Sequence, residues 1–187
     1  MAFGAPISFL LTYVLLPIWI LAGFADYVCH RVTDIEHANG AKESIAHWVM
    51  LGEIGIPLIA AVFLRIDALL LIFFTLCIVA HLFTTHLDLQ IAIQTRKVTA
   101  FEQQVHSVLE GAPVAALLLL IVQHWPQAQA LFGQGSQAPD FSIVLNLPTN
   151  WYAVVAIFAA SFLFLLIPYT DEFLRGVRAQ AQIRARE

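Results

Sequence analysis

Five stretches of this chain are each long and apolar enough to cross a lipid bilayer, and nothing else in the sequence limits its fold so strongly. A spanning helix takes about 20 predominantly apolar residues. Because hydrocarbon offers no partner to a free N–H or C=O, each stretch must satisfy its own backbone as an α-helix. The spans read as residues 6–29, 46–64, 68–86, 105–125 and 151–169, about half or more of the 187 residues, which leaves no room for a separate soluble domain. Composition agrees, with 60% apolar and 12% charged residues and a mean hydropathy of +0.80. The fold expected is therefore an all-α integral membrane protein of one domain, residues 1–187, with five transmembrane helices of which the first four form a bundle.

Charge supplies orientation and exclusions. A formal charge of −4 and nine scattered Lys and Arg residues exclude a nucleic-acid surface. Arg31 and Lys42 fall between the first two spans, Arg96 and Lys97 between the third and fourth, and Arg175, Arg178, Arg184 and Arg186 after the fifth. Only Arg65 lies on the other side, in the turn Leu64 to Asp67. Basic residues are retained in the cytoplasm, so the N-terminus is expected outside and the C-terminus inside, with the inner membrane of a bacterium as the setting. Segment 126–150 is then an outer loop and 170–187 a cytoplasmic tail that continues the fifth helix. The first basic residue is Arg31, so the opening helix lacks the positive flank of a secretory signal and is expected to stay uncleaved. Cys29 and Cys77 are far apart and match neither a redox pair nor a zinc ribbon.

The distribution of polar residues is the functional signal, because an ionisable side chain within a span costs roughly 2.5–3.5 kcal/mol even on lenient scales. At the cytoplasmic ends of the first four helices lie Asp26 and His30; Glu43, His47 and Glu53; His81, His86 and Asp88; and Glu102, His106 and Glu110. Each of these helices thus supplies both a histidine and an acid. Asp26/His30 and Glu43/His47 are i,i+4 pairs, Glu102/His106/Glu110 is an i,i+4,i+8 stripe, and His81 and Asp88 are two turns apart, so each set shares one helix face. Glu53 is a misfit: six residues past His47 it stands about 120° around the helix and reaches the others only if Pro57 kinks the span. The fifth span and the outer loop are expected to contribute nothing comparable. A short repeat accompanies the pattern, pairing Glu43/His47 with Glu102/His106 and Glu53 with Glu110, as if two related hairpins donated matching ligands.

Structural roles compete for single residues. Thr99 and Glu102 form a capping-box pattern, Asp34, Glu36 and His37 read as a solvated loop, and His86 points away from the His81/Asp88 face toward the interface. Asp26 with Arg31, or Asp88 with Arg96, reads equally as an interfacial ion pair. Capping and snorkelling, however, would spread polar groups over both membrane faces.

Carboxylates and imidazoles converging from four helices suit iron, manganese or zinc. In ligand type and helix count, residues 26–110 resemble the dinuclear-metal, di-iron carboxylate four-helix bundles, although the spacing here is i,i+4 where those proteins use Glu-x-x-His. The resemblance implies two divalent ions, iron first, held by Asp26, His30, Glu43, His47, His81, Asp88, Glu102, His106 and Glu110. It also implies an oxidoreductase acting on a lipid, quinone or other hydrophobic small molecule from the bilayer, with an electron donor at the cytoplasmic face. Glu110, as a bridge, and Glu53 are the acids expected to take part in catalysis. The alternatives are a zinc hydrolase with one of those acids as general base, a b-type cytochrome with haem between histidines, and a metal or proton transporter. The last would need polar groups continuing into the outer halves of the spans, which are apolar.

Overall fold

A computed structural model describes residues 4–38 and 40–185; Arg186, counted above among the basic residues, lies outside them. The described chain is helical, with no strands beyond one isolated bridge between Leu64 and Leu145. Five helices are long and apolar enough to cross a membrane: α1 Gly4–Thr33, α2 Gly40–Phe63, α3 Ala68–Thr95, α4 Ala100–Gln123 and, after the short α5 Trp125–Ala130, α6 Trp151–Arg184.

The helix ends follow local chemistry. Helix α1 stops at Asp34, whose left-handed backbone (φ 55°) is one that Asp tolerates better than most residues. Helix α3 starts on Asp67, which accepts the backbone N–H of Leu70, and α4 starts on a complete capping box in which Thr99 and Glu102 bond each other's backbone. Two prolines lie inside membrane helices just beyond a π-turn: Leu11–Leu15 precedes Pro17, and Phe162–Leu166 precedes Pro168. A proline cannot donate to the preceding turn, and the wider turn relieves its clash there.

Several helices outrun the apolar windows read from the sequence. Helix α3 continues to Thr95 and α6 to Arg184. The extra turns carry buried acids, Asp88 on α3 and Glu172 on α6, beside exposed polar residues such as Thr95 and Arg178, so hydropathy ends before the helix does.

Around the molecule the packing order is α1, α4, α3, α2, α6 and back to α1. The expected bundle of the first four helices is thus corrected to an arrangement in which α6 stands between α1 and α2. Gly23 permits this approach: a Cβ there would sit 2.5 Å from Leu165 Cδ2 and 3.2 Å from the Tyr169 hydroxyl. Trp19, Ile20, Ala112, Leu165 and Tyr169 form one apolar core, and Leu70, Phe74 and Leu117 another. Phe9, Leu21, Leu76, Phe83 and Phe162 face outward, as suits a surface solvated by lipid.

The loop after α5 folds back on the α2–α3 turn. Arg65 N–H donates to Val144 O and Asn146 N–H to Phe63 O, each at 2.8 Å, and Leu69 N–H reaches Asp140 O at 3.2 Å. We refer below to this end of the molecule as the loop end and to the opposite one as the ligand end.

Candidate metal centre

At the ligand end the inward faces of α1, α2, α3, α4 and α6 bring together Asp26, His30, Glu43, His47, Asp88, Glu102, His106 and Glu172, all buried. The i,i+4 spacing of Asp26 and His30 stacks both toward the centre from α1; His47 comes from α2, Asp88 from α3 and the pair Glu102/His106 from α4.

Glu172 organises the centre. Its Oε2 accepts from His30 Nδ1 at 2.9 Å, and its Oε1 accepts from His47 Nδ1 at 2.8 Å and from the Ser44 hydroxyl at 2.9 Å. A carboxylate can only accept, so both rings carry a proton on Nδ1, and Nε2 is the atom of each ring left to face the other acids. The rings lie nearly parallel, centroids 4.8 Å apart, with Tyr169 stacked on His47 at 5.4 Å. Carboxylate–histidine pairs of this kind fix the tautomer and direction of metal-binding imidazoles.

The Nε2 atoms of His30 and His47 stand apart from the carboxylate oxygens that they face. His30 Nε2 is 3.6 Å from Asp26 Oδ1 and 3.4 Å from Glu102 Oε1, and His47 Nε2 is 3.5 Å from Asp88 Oδ2 and 3.9 Å from Asp26 Oδ2. Such gaps exceed the normal hydrogen bond. Two atoms that each lie about 2.1 Å from a shared ion are about 3.0–3.4 Å apart, a range that the His30–Glu102 gap reaches and the other three exceed. His106 Nε2 stands closer, 2.9 Å from Asp26 Oδ1. The Nε2 atoms of His30, His47 and His106, together with Asp26 Oδ1 and Asp88 Oδ1, are buried without a hydrogen-bond partner. Two overlapping groups could each hold a metal ion, Asp26/His30/His47 and His30/Glu102/His106, and both use His30.

Glu43 and Glu102 are also engaged elsewhere. Arg96, just past the end of α3, donates to Glu43 Oε2 through Nη2 at 2.9 Å and to Glu102 Oε1 through the same nitrogen at 2.6 Å. Burial opposes the Arg96 charge, but hydrogen bonds and the fields of Glu102 and Glu43 outweigh it and hold its pKa above the ordinary arginine value. Glu102 therefore closes a helix, pairs with Arg96 and faces His30 at once, and Arg96 does not form the ion pair with Asp88 weighed from the sequence.

The remaining sequence candidates lie around this core. Glu53 accepts from the Thr84 hydroxyl at 2.8 Å and stands 3.7 Å from His81 Nδ1, turned toward α3 as its 120° offset from His47 requires. His81 is buried with both ring nitrogens unpartnered and borders a cavity of about 30 Å³ that also touches Asp26, His47 and His106. Glu110 is half-buried and outside both converging groups, and His86 is exposed. Glu36 is not solvated: it pairs with Arg175 of α6 at 2.6 Å, and Arg31 faces Asp171 at 3.6 Å where Asp26 was the partner weighed.

Glu172 corrects the reading of 170–187 as a tail without site residues, since it stands three residues past the span 151–169. A signal was present, since Tyr169, Glu172, Gly176 and Ala179 recur at helical spacing and form the buried face of an otherwise polar helix. Hydropathy alone passes over that face because its members are small or charged. No protein-family model matches the chain, and neither does any curated protein or any solved structure.

Proposed function

We propose that this chain is a membrane metalloenzyme whose ligand end holds two divalent ions, iron first, and oxidises a hydrophobic substrate drawn from the bilayer. The observation that carries the reading is the set of buried, unpartnered Nε2 atoms of His30, His47 and His106, aimed at Asp26, Asp88 and Glu102 while Glu172 holds two of the rings from behind. Charge supports two ions. Asp26, Glu43, Asp88, Glu102 and Glu172 are five buried carboxylates and Arg96 is one cation, so their sum is −4, which two divalent ions offset. Without such compensation, so many buried acids carry a heavy desolvation cost.

Mixed oxygen and nitrogen donors favour iron, manganese or zinc over copper(I). A porphyrin does not fit a space of about 30 Å³. Oxygen chemistry at such a centre would need electrons from a donor, and the ligand end is the side where the basic residues gather, the feature that supports a cytoplasmic face. A reporter fused after residue 187 reading cytoplasmic, and one inserted in the loop 131–150 reading external, is the outcome expected.

Elemental analysis of the purified protein with an absorption spectrum tests the reading. Two irons per chain and no Soret band are expected. Zinc alone turns the assignment to hydrolysis, and a single ion or haem overturns the dinuclear centre.

A further inference from the structure

Toward the loop end the space between the helices widens into a cavity of about 470 Å³, within the size range of small-molecule sites. Its walls are apolar, among them Leu15, Ile54, Phe74 and Leu117, and small side chains such as Ala61 and Ala116 make the room. Ser8, Gln123 and His124 fringe the loop end. At the other end the floor is Trp19, which also lines the small cavity beside Asp26, His47 and His106. From Trp19 to Ser8 along α1 is about 16 Å at helical rise.

Two observations indicate what fills this space. The first is access. The backbone of Trp151–Ser161, the opening third of α6, runs apart from its neighbours and meets α2 through aromatic rings, Phe63 tilted against Trp151 and stacked on Phe158. Leu11 and Leu15 of α1, Val62 of α2 and Ile157 of α6 border the cavity on that side, at membrane depth, where the neighbouring phase is hydrocarbon. The second is Trp19 itself. It is only 8% exposed, and its indole N–H has no hydrogen-bond partner. A buried donor left unpaired is costly, and this one belongs to a residue that lines both the apolar cavity and the small space beside the candidate metal centre.

We infer that the cavity binds a single-chain neutral amphiphile, entering sideways from the bilayer with its hydrocarbon tail along the apolar walls and an uncharged oxygen accepting from Trp19 Nε1. The polar end at the floor must be uncharged, because Trp19 presents one neutral donor there with the acid Asp26 beyond it, while Arg65 of the lining stands at the loop end paired with Asp140. This class is a long-chain alcohol, aldehyde, ketone or quinone, and its oxygen-bearing end lies at the partition next to the ligands. That the bound molecule is also substrate rests on the metalloenzyme reading; binding itself does not.

Binding of dodecanol, dodecane and dodecanoate to the full chain in detergent or nanodiscs, followed by titration calorimetry, tests the inference. Dodecanol is expected to bind more tightly than either of the others. Trp19→Phe keeps the ring and loses the donor, so dodecanol should weaken about fivefold to tenfold while dodecane is unmoved. Ala116→Phe and Ala61→Phe, which fill the cavity from different helices, should each abolish binding. Wild-type protein stripped of metal with a chelator should bind dodecanol as the untreated protein does, so failure of the metal reading leaves this result standing. Dodecane or dodecanoate matching dodecanol in the wild type, full affinity in Trp19→Phe, or full affinity in both filled variants would overturn it.

Discussion

The two ends of the molecule use the same five membrane helices and fill the space between them in opposite ways. At the ligand end the helices meet through charge: buried carboxylates bond histidines, Ser44 and Arg96, and the space left measures about 30 Å³. At the loop end apolar walls enclose about 470 Å³, and the turn is held from outside by Arg65, Asp140 and the returning loop. Lipid gives apolar helices little reason to prefer one another over the bilayer. Close approach therefore needs either small residues, as at Gly23, or a polar network that has no alternative partner in hydrocarbon. The ligand end has both. The loop end has a strap in place of a network and keeps a space that lipid-like molecules can enter.

The largest effect that would sharpen this contrast is loss of metal. His47→Ala or His106→Ala should remove essentially all bound metal while the protein remains in the membrane, since insertion depends on the apolar spans. His124→Ala at the loop end and the exposed His37→Ala should retain it. Metal content of the four purified variants decides the matter, and equal retention in all of them would break the contrast.

Next comes Arg96, whose side chain is buried between two fully buried acids. Arg96→Met leaves Glu43 and Glu102 without their shared counter-ion, a change that typically costs about 3–5 kcal/mol. Arg65→Met at the loop end removes a half-exposed partner of Asp140 and should cost under about 1 kcal/mol. Unfolding of the metal-free proteins in detergent measures both, and equal losses would mean that the network at the ligand end is no more binding than the strap.

How much of this was legible before the fold was known differs between the same two ends. The spans followed from hydropathy, and Asp26, His30, His47, Glu102 and His106 were placed together by their i,i+4 spacing, because a helix converts spacing directly into direction. The 120° offset of Glu53 was read in the same way, and the structure turns that residue toward Thr84 and His81. What spacing cannot supply is the order of helices around the molecule. That Glu172 lies behind His30 and His47 depends on α6 fitting between α1 and α2, a long-range contact that leaves no periodic trace in either of those helices. The grip of Arg96 on Glu43, 53 residues away, was hidden for the same reason, and proximity in sequence suggested Asp88. The cavity was invisible because an apolar wall reads the same whether it faces a neighbour, lipid or a bound chain.

Glu172→Gln refines the contrast within the ligand end. An amide cannot accept from His30 and His47 with both of its arms, so one ring must turn or move its proton to Nε2, where it blocks an ion. Metal affinity should fall about 10–100-fold, equivalent to about 1.4–2.7 kcal/mol. Glu110→Gln, outside the converging groups, should change it little. Competitive titration with a chelator reads both values, and a Glu172→Gln protein that binds as the wild type would reduce Glu172 to a packing group.

The smallest effect is a pH dependence confined to the loop end. Hydrogen bonds from the hydroxyl and backbone N–H of Ser142, with the charge of Arg65 alongside, hold the Asp140 carboxyl below its ordinary range. A carboxyl whose pKa is depressed by folding stabilises the fold above its unfolded pKa of about 3.9, and the contribution disappears as the pH falls through the lower folded value. Wild type and Asp140→Asn should therefore differ slightly in melting temperature in detergent at pH 7 and converge below about pH 3. The carbonyl of the same residue accepts from Leu69 N–H of α3, and its own N–H donates to Gln127 Oε1 of α5, so the ionised side chain helps to set the register of the loop. An asparagine variant equal to the wild type at neutral pH would show that the backbone bonds of Arg65, Leu69 and Asn146 close the loop end by themselves.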